Sequence, residues 1–420
     1  MNPPAPARQF SPRVPPVALL VLLTVTGWLA CALWTRLFRI LGINDMGQWY
    51  LDSYAVLAAM DAARAGLNPS EPNPFDTLMR NHVYSDWWYG MRWLGLTRGA
   101  NFLVGTAWVG AFALAAWHTV KPRNLRESVW VAALLLSPPV LLAVNRANND
   151  LVIFVLLAGC AMAAADTRWW RQILAVAALV LATGLKFYPV VAALAFLWIR
   201  PVRQMPGRLL VALVATAGAL ASVWSQLGRG RFRIESSLHE IGAPLLGREW
   251  GWSDPTSQMV FVVACGLVAA GLAAGRFTVG LSTRGQPRER FAAALGVIVL
   301  LACFVAGVSY AYRWIFALWM ALWLWRQASG PEESRRARWT FQLGRALLFF
   351  CVWCDGLLCL VVNVLLPRMM VPQLDALQVT WRQWTQPLHW LLLMLLAGWL
   401  LEAAMATWAE WRRPVPAPGS

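Results

Sequence analysis

Long apolar stretches recur along the chain at membrane-spanning length, and arginine-rich loops separate them. Roughly 20 consecutive apolar residues cross a bilayer as one helix, which pairs all its backbone polar groups internally. A chain built from such stretches folds as an all-α polytopic membrane protein. Only 13% of the 420 residues are charged, against about 25% in soluble domains, too few to cover a water-facing surface. That excludes a soluble enzyme, a secreted disulfide scaffold and a disordered chain. All seven cysteines lie in apolar stretches and read as small packing residues. Cys351 and Cys354 have C-x-x-C spacing, but no second pair or nearby His completes a zinc site.

Hydropathy predicts twelve transmembrane or re-entrant helices, at about 15–37, 100–119, 129–144, 150–165, 172–186, 188–199, 208–226, 257–275, 291–309, 312–327, 346–366 and 387–407. Two of these, 172–186 and 188–199, are too short to cross alone and break at Lys186-Phe187-Tyr188-Pro189, which predicts a hairpin or bent pair. With the N-terminus cytoplasmic, alternate loops hold most of the basic excess. The net charge of +16 is then a positive-inside signal rather than a nucleic-acid footprint. Arg36 and Arg39, at the outer end of the first helix, run against that trend.

The expected organisation is a disordered cytoplasmic tail over 1–14, one membrane domain over 15–407 and a cytoplasmic tail over 408–420. Two large outer loops span 38–99 and 227–256. The first should contain a helix over 53–65, where Tyr54, Ala55, Ala58, Ala59 and Ala62 recur at helical spacing until Gly66 and Pro69 end it. The Arg and Ala bias suggests a bacterium with a GC-rich genome, hence an inner membrane with the outer loops in the periplasm.

Charges at membrane depth cost about 2.5–3.5 kcal/mol each on insertion scales, so they usually face a cavity and act there. On this topology the notable polar groups all fall on the outer side: the first-loop acids, the run Asn145 to Asp150, Lys186, and Tyr310 to Arg313. One outward-facing cavity is expected. Lys186 is one of 2 lysines against 34 arginines, and its compact ammonium suits a phosphate oxygen; the competing reading is a snorkelling helix-end lysine. Arg313 is either a second phosphate ligand near a helix N-terminus or an interfacial anchor among Tyr310, Tyr312 and Trp314. A phosphate between the two cations gains roughly 4 kcal/mol per contact at ~4 Å and an effective dielectric of ~20. Asp52 is either an N-cap or an acid overhanging the cavity. Asn148, Asn149 and Asp150 are a hydrogen-bonding wall or an N-cap cluster. The aromatic stretch 81–89, which holds His82, is a sugar platform or an interfacial helix. Asp355 is placed mid-helix, nearer the inner half, with no link to the outer site.

In order, the chain carries an outer-loop Asp, then Asn148-Asn149-Asp150-Leu151 opening a helix, then Gly184-Leu185-Lys186-Phe187-Tyr188-Pro189, then Tyr312-Arg313-Trp314-Ile315-Phe316. This resembles the bacterial membrane glycosyltransferases of family 87, which have the GT-C architecture and include mannosyltransferases dependent on polyprenyl-phosphate-mannose. That family's first loop has an Asp, an Ala-rich helix, then Gly and Pro before an aromatic. Asp52, Gly66 and Pro69 keep this spacing, although Ser70 stands where the family has Tyr, and Asp45 offers a second acid seven residues earlier. The resemblance covers about 45–320 and is most specific from Asn145 to Arg200; the last two helices match nothing.

The resemblance implies a GT-C-like fold that moves a hexose, mannose in the family, from a polyprenyl-phosphate donor to a lipid or glycan acceptor at the periplasmic face. Asp52, or Asp45, would be the base. Lys186, Arg313 and Tyr188 would hold the phosphate, and Asn149, Asp150, Tyr312, Tyr54 and His82 would line the substrate pocket. Two side-chain cations can neutralise a monophosphate leaving group, so neither metal nor cofactor is implied. The absence of D-x-D and Gly-rich phosphate motifs speaks against a nucleotide-sugar donor. Two rivals are a transporter or flippase for an anionic lipid-linked sugar, which predicts inverted repeats and polar residues on both faces, and an O-antigen ligase- or polymerase-like transferase with a lipid-diphosphate donor.

Overall fold

The computed structural model describes residues 15–43, 48–198, 204–227, 240–251, 255–274, 286–307, 309–329, 335–365 and 371–412. The tail over 1–14 and Asp45 lie outside these residues. Two helices open the chain, α1 (Pro16–Leu33) and the short α2 (Arg36–Ile40), and α3 (Leu51–Arg64) and α4 (Trp87–Gly90) belong to the first loop. Next come α5 (Asn101–Thr119), α6 (Leu125–Leu135), α7 (Pro138–Arg146), α8 (Asp150–Ala164) and α9 (Trp169–Leu185). A 3-10 segment, Tyr188–Trp198, precedes α10 (Met205–Ser222), strand β1 (Glu240–Ile241), α11 (Ala243–Glu249), α12 (Pro255–Ala274) and α13 (Pro287–Val305). Strand β2 (Ser309–Tyr310) pairs antiparallel with β1. It leads into a 3-10 turn, Ala311–Phe316, followed by α14 (Ala317–Ala328), α15 (Arg335–Leu360) and α16 (Val371–Trp411).

Among the described residues, five helices are individually long and apolar enough to cross a membrane, and α6 with α7 make a sixth, bent span. The chain is a multi-pass membrane protein. α13 is buried on almost every side, from Phe291 to Leu300, and packs against α8, α14 and the Tyr188–Trp198 segment. Phe154 of α8 stacks on Trp319 at 4.4 Å and meets Phe112 edge-on at 4.9 Å, which joins three helices in one core.

Several predicted elements change shape, each for a local reason. The segment 129–144 is two helices bent by 58°. Pro138 forbids helical geometry at the residue before it, and Ser137 is extended at ψ 151°. The break aims α7 so that its C-terminus reaches the first loop, where Tyr50 N–H donates to Asn145 O at 3.0 Å. α15 starts eleven residues before the expected 346. α16 starts at Val371 and runs through Pro387. Its polar first part is helical because its side chains have partners: Gln383 Nε2 donates to Glu249 O at 3.0 Å, and Arg382 lies 3.4 Å from Glu249.

The early start of α15 also moves Asp355. Twenty residues from Arg335 at 1.5 Å each carry it toward the end of α15 that approaches α2 and the first loop. At that end Asn363, eight residues on, donates from Nδ2 to Arg39 O at 3.2 Å. Asp355 is therefore on the side of the first loop, not nearer the inner half.

Two glycines let the first loop dock on the membrane helices. A Cβ on Gly105 of α5 would sit 2.3 Å from the Tyr50 ring, and one on Gly184 of α9 would sit 2.2 Å from the Trp87 ring. Trp88 fixes the same joint, its Nε1 donating to Leu185 O at 3.0 Å. The stretch 81–89 is thus clamped against α9 rather than lying along a bilayer. Gly184→Val should expel Trp87 and shift Lys186, two residues on. The activity of any site that uses Lys186 should fall at least about tenfold, because misplacement of about 1 Å costs up to about 10²-fold. Activity within twofold of wild type would contradict this.

Candidate active site

Five separate pieces of chain converge at one end of the molecule: the start of α3, the α7–α8 junction, the α9 break, the 80–84 stretch and the Ala311–Phe316 turn. The junction is sharp because Ala147 adopts a left-handed φ of 41° after the last turn of α7. Asn148 Oδ1 then accepts from Asp150 N–H at 2.9 Å, which starts α8. Lys186 is extended just past the end of α9 (φ −150°, ψ 119°), so its side chain turns back toward α8.

Asp52 lies in the first turn of α3, a loop helix, and is 3% exposed. Its carboxylate accepts from Arg146 Nε at 3.0 Å and Nη2 at 2.8 Å, and from Asn148 Nδ2 at 2.5 Å. Arg80 stands 3.6 Å away and is itself paired to Asp76 at 2.8 Å. Burial pushes the Asp52 carboxyl up, but Arg146, Asn148 and Arg80 outweigh it and hold the group below the usual carboxylate range. It is ionised at neutral pH.

Asp150 is fully buried and organises the second half. Its Oδ1 accepts from Lys186 Nζ and, at 2.7 Å, from the Tyr188 hydroxyl. Its Oδ2 lies 4.0 Å from Arg313 Nε. Lys186 also donates to Asn149 Oδ1 at 3.3 Å. Arg313 stacks over the Tyr188 ring at 4.9 Å.

Tyr84 joins the halves. Its ring is 5.3 Å from Lys186 Nζ, and its phenol is pushed well up by burial and then by the charges of Asp52 and Asp150. It therefore stays neutral at physiological pH. Tyr312, stacked on Tyr310 at 5.4 Å, places its ring 5.7 Å from the same ammonium.

Asp52, Lys186, Arg313, Tyr188, Asn149, Asp150 and Tyr312 thus share one site. Two expected pocket residues do not face it. Tyr54 lies about 200° around α3 from Asp52 at 3.6 residues per turn, and its hydroxyl donates to Phe75 O at 3.3 Å. His82 is 4% exposed, with its ring edge-on to Tyr84 at 5.6 Å and Tyr89 at 5.3 Å, so it backs Tyr84. Sequence reasoning missed Arg80 altogether and saw Arg146 without its partner, 94 residues away. A buried Asp needs a cation, and that is the signal pointing to Arg146.

The unmet groups show what the site can take. Asn149 Nδ2, Asp150 Oδ2 and Arg313 Nε are buried and make no hydrogen bond among the described residues. Among the described residues, Arg80, Arg146, Lys186 and Arg313 face Asp52, Asp76 and Asp150, an excess of one positive charge. One phosphodiester anion balances it. No group of three His, Cys, Asp or Glu side chains converges for a metal ion among the described residues.

Charge is not confined to this end. At the opposite helix ends, Arg326 of α14 binds Glu127 of α6 at 2.9 Å and Glu289 of α13 at 2.6 Å. The expectation that polar groups collect on one side alone is corrected: partners 199 and 37 residues apart form a second charged cluster.

A family model of glycosyltransferase family 87 matches residues 91–307. The matched region holds Arg146, Asn148, Asp150, Lys186 and Tyr188, and leaves Asp52, Arg80 and Arg313 outside. Comparison with curated proteins gives no match. Among solved structures, the crystal structure of ArnT from Cupriavidus metallidurans bound to undecaprenyl phosphate is similar over 92% of this chain and 77% of its own, at 13% identity and a TM-score of 0.36.

Proposed function

The chain belongs to glycosyltransferase family 87, and on that premise we propose that it transfers a hexose, with mannose the first candidate, from a polyprenyl-phosphate donor to a lipid or glycan hydroxyl at the periplasmic face of a bacterial inner membrane. Both termini are then cytoplasmic. The observation that carries this reading is the meeting of Asp52, Lys186 and Arg313 in one buried site, with one unbalanced positive charge among the described residues.

In the proposed reaction the bond between the sugar's anomeric carbon and the phosphate oxygen breaks, and polyprenyl phosphate leaves with that electron pair. The acceptor oxygen bonds to the anomeric carbon and gives its proton to Asp52. Arg313 Nε and Lys186 Nζ meet the charge that grows on the leaving phosphate. Asn149 Nδ2 and Asp150 Oδ2 are the donor and acceptor offered to the sugar. Asp52 uses three of its roughly four lone-pair directions within the protein, which leaves one for the acceptor hydroxyl. A carboxylate so stabilised is a weak base. It takes the proton only as the acceptor oxygen becomes acidic through bonding to carbon.

Incubating the purified protein with labelled hexose on polyprenyl phosphate, polyprenyl diphosphate and a nucleotide tests the donor class. Transfer from the monophosphate alone is expected; transfer from the diphosphate instead would favour a ligase-like enzyme. The far-end cluster removes the one-sidedness that spoke against a transporter, and family membership is what favours transfer chemistry.

Arg146→Gln gives the pH test. The Arg146 ion pair depresses the Asp52 pKa, so its loss raises that pKa toward or above the usual carboxylate range. The acid limb of kcat/KM against pH should move to higher pH. An unmoved limb would mean that Asp52 is not the titrating base.

A further inference from the structure

The charged cluster opposite Asp52 plays no part in the reaction proposed above. Besides its two carboxylates, Arg326 donates to Lys121 O at 2.6 Å. Arg123 pairs with Glu289 at 3.1 Å, and its own N–H donates to Glu127 at 2.8 Å. Next to these pairs lies a cavity of about 140 Å³, lined among others by His118, Lys121, Arg288, Glu289, Trp323 and Arg326.

Donors and acceptors do not balance there. Glu289, the acid in its wall, is bonded to Arg326 and Arg123, and Glu127 is likewise engaged. Trp319 spends its Nε1 on Thr119 Oγ1 at 2.9 Å. Nη2 of Arg288 and Nε1 of Trp323 are buried and make no hydrogen bond among the described residues, and Trp323 is only 3% exposed. Among the described residues, Lys121, Arg123, Arg288 and Arg326 exceed the two glutamates by two positive charges. A buried donor without an acceptor costs about 1–3 kcal/mol, and two of them beside a surplus of cations call for an anion with several acceptor oxygens. We propose that this cavity binds one phosphate group at the membrane surface opposite the active site, contributed by a phospholipid headgroup or by a soluble phosphate. The inference does not depend on the transferase reading. Basic pockets between membrane helices are a recurrent setting for anionic headgroups.

The test follows thermal unfolding of the delipidated protein in neutral detergent, titrated separately with short-chain phosphatidylglycerol, phosphatidylcholine and inorganic phosphate. The expected result is a saturable rise in melting temperature with phosphatidylglycerol, and an affinity at least about tenfold weaker in the Lys121→Gln/Arg288→Gln variant, which loses two charge-assisted contacts. An equal rise with inorganic phosphate alone would support the site and assign it to a soluble ligand. Equal stabilisation by phosphatidylcholine, or unchanged affinity in the variant, overturns the proposal. If the variant does not fold, native mass spectrometry of the wild type decides. One retained phosphatidylglycerol per chain in preference to phosphatidylcholine is expected, and equal retention overturns it.

Discussion

Asp52→Asn should lower the rate of glycosyl transfer by about 10²–10⁴-fold, the range set by loss of a positioned general base, while leaving donor binding within a few-fold of wild type. The substitution keeps the shape of the side chain and an oxygen for Arg146. It removes the charge that takes the acceptor proton. Because Arg146 then loses its ionic partner at a buried position, some loss of stability is expected as well. The control is the melting temperature measured on the same preparation. Folded Asp52→Asn protein with undiminished kcat would remove Asp52 from the reaction and leave the family membership untouched.

Lys186 should give the larger effect on stability. Asp150 is fully buried and depends on Lys186 and Tyr188 for its direct partners. Lys186→Met would leave that carboxylate only the Tyr188 hydroxyl and Arg313 at 4.0 Å, and breaking one side of a buried pair costs about 3–5 kcal/mol. The double variant Lys186→Met/Asp150→Asn removes both charges and should recover most of that loss. It should not recover transfer, because the phosphate has lost a cation. The double-mutant cycle thus separates a structural ion pair from a substrate ligand. Recovery of both stability and activity would show that Lys186 serves only to neutralise Asp150.

Some of this arrangement was legible in the sequence, and the reasons differ element by element. Pro189 and the interrupted apolar run announced the break that exposes Lys186, because proline punctuates helices whatever surrounds it. Arginine placement gave alternating helix ends, and those ends set Asp52, Lys186 and Arg313 on the same side. Pairings over long separations were not legible. Asp52 and Arg146 stand 94 residues apart, and Glu127 and Arg326 stand 199 apart, so no local pattern links them. Asp150 read as a pocket wall or part of an N-cap cluster, and its pairing with Lys186, 36 residues on, had no local signal. The first part of α16 read as loop because its residues are polar; burial against Glu249 makes it helical. Pro138-Pro139 was a local signal that hydropathy averaging passed over.

The structure of the protein with polyprenyl phosphate bound tests the central claim most directly. The phosphorus should lie within hydrogen-bonding reach, through its oxygens, of Lys186 Nζ and Arg313 Nε, with Asp52 across the pocket and its Arg146 pair intact. A phosphate seated away from both cations, with the Lys186–Asp150 pair undisturbed, would contradict the account.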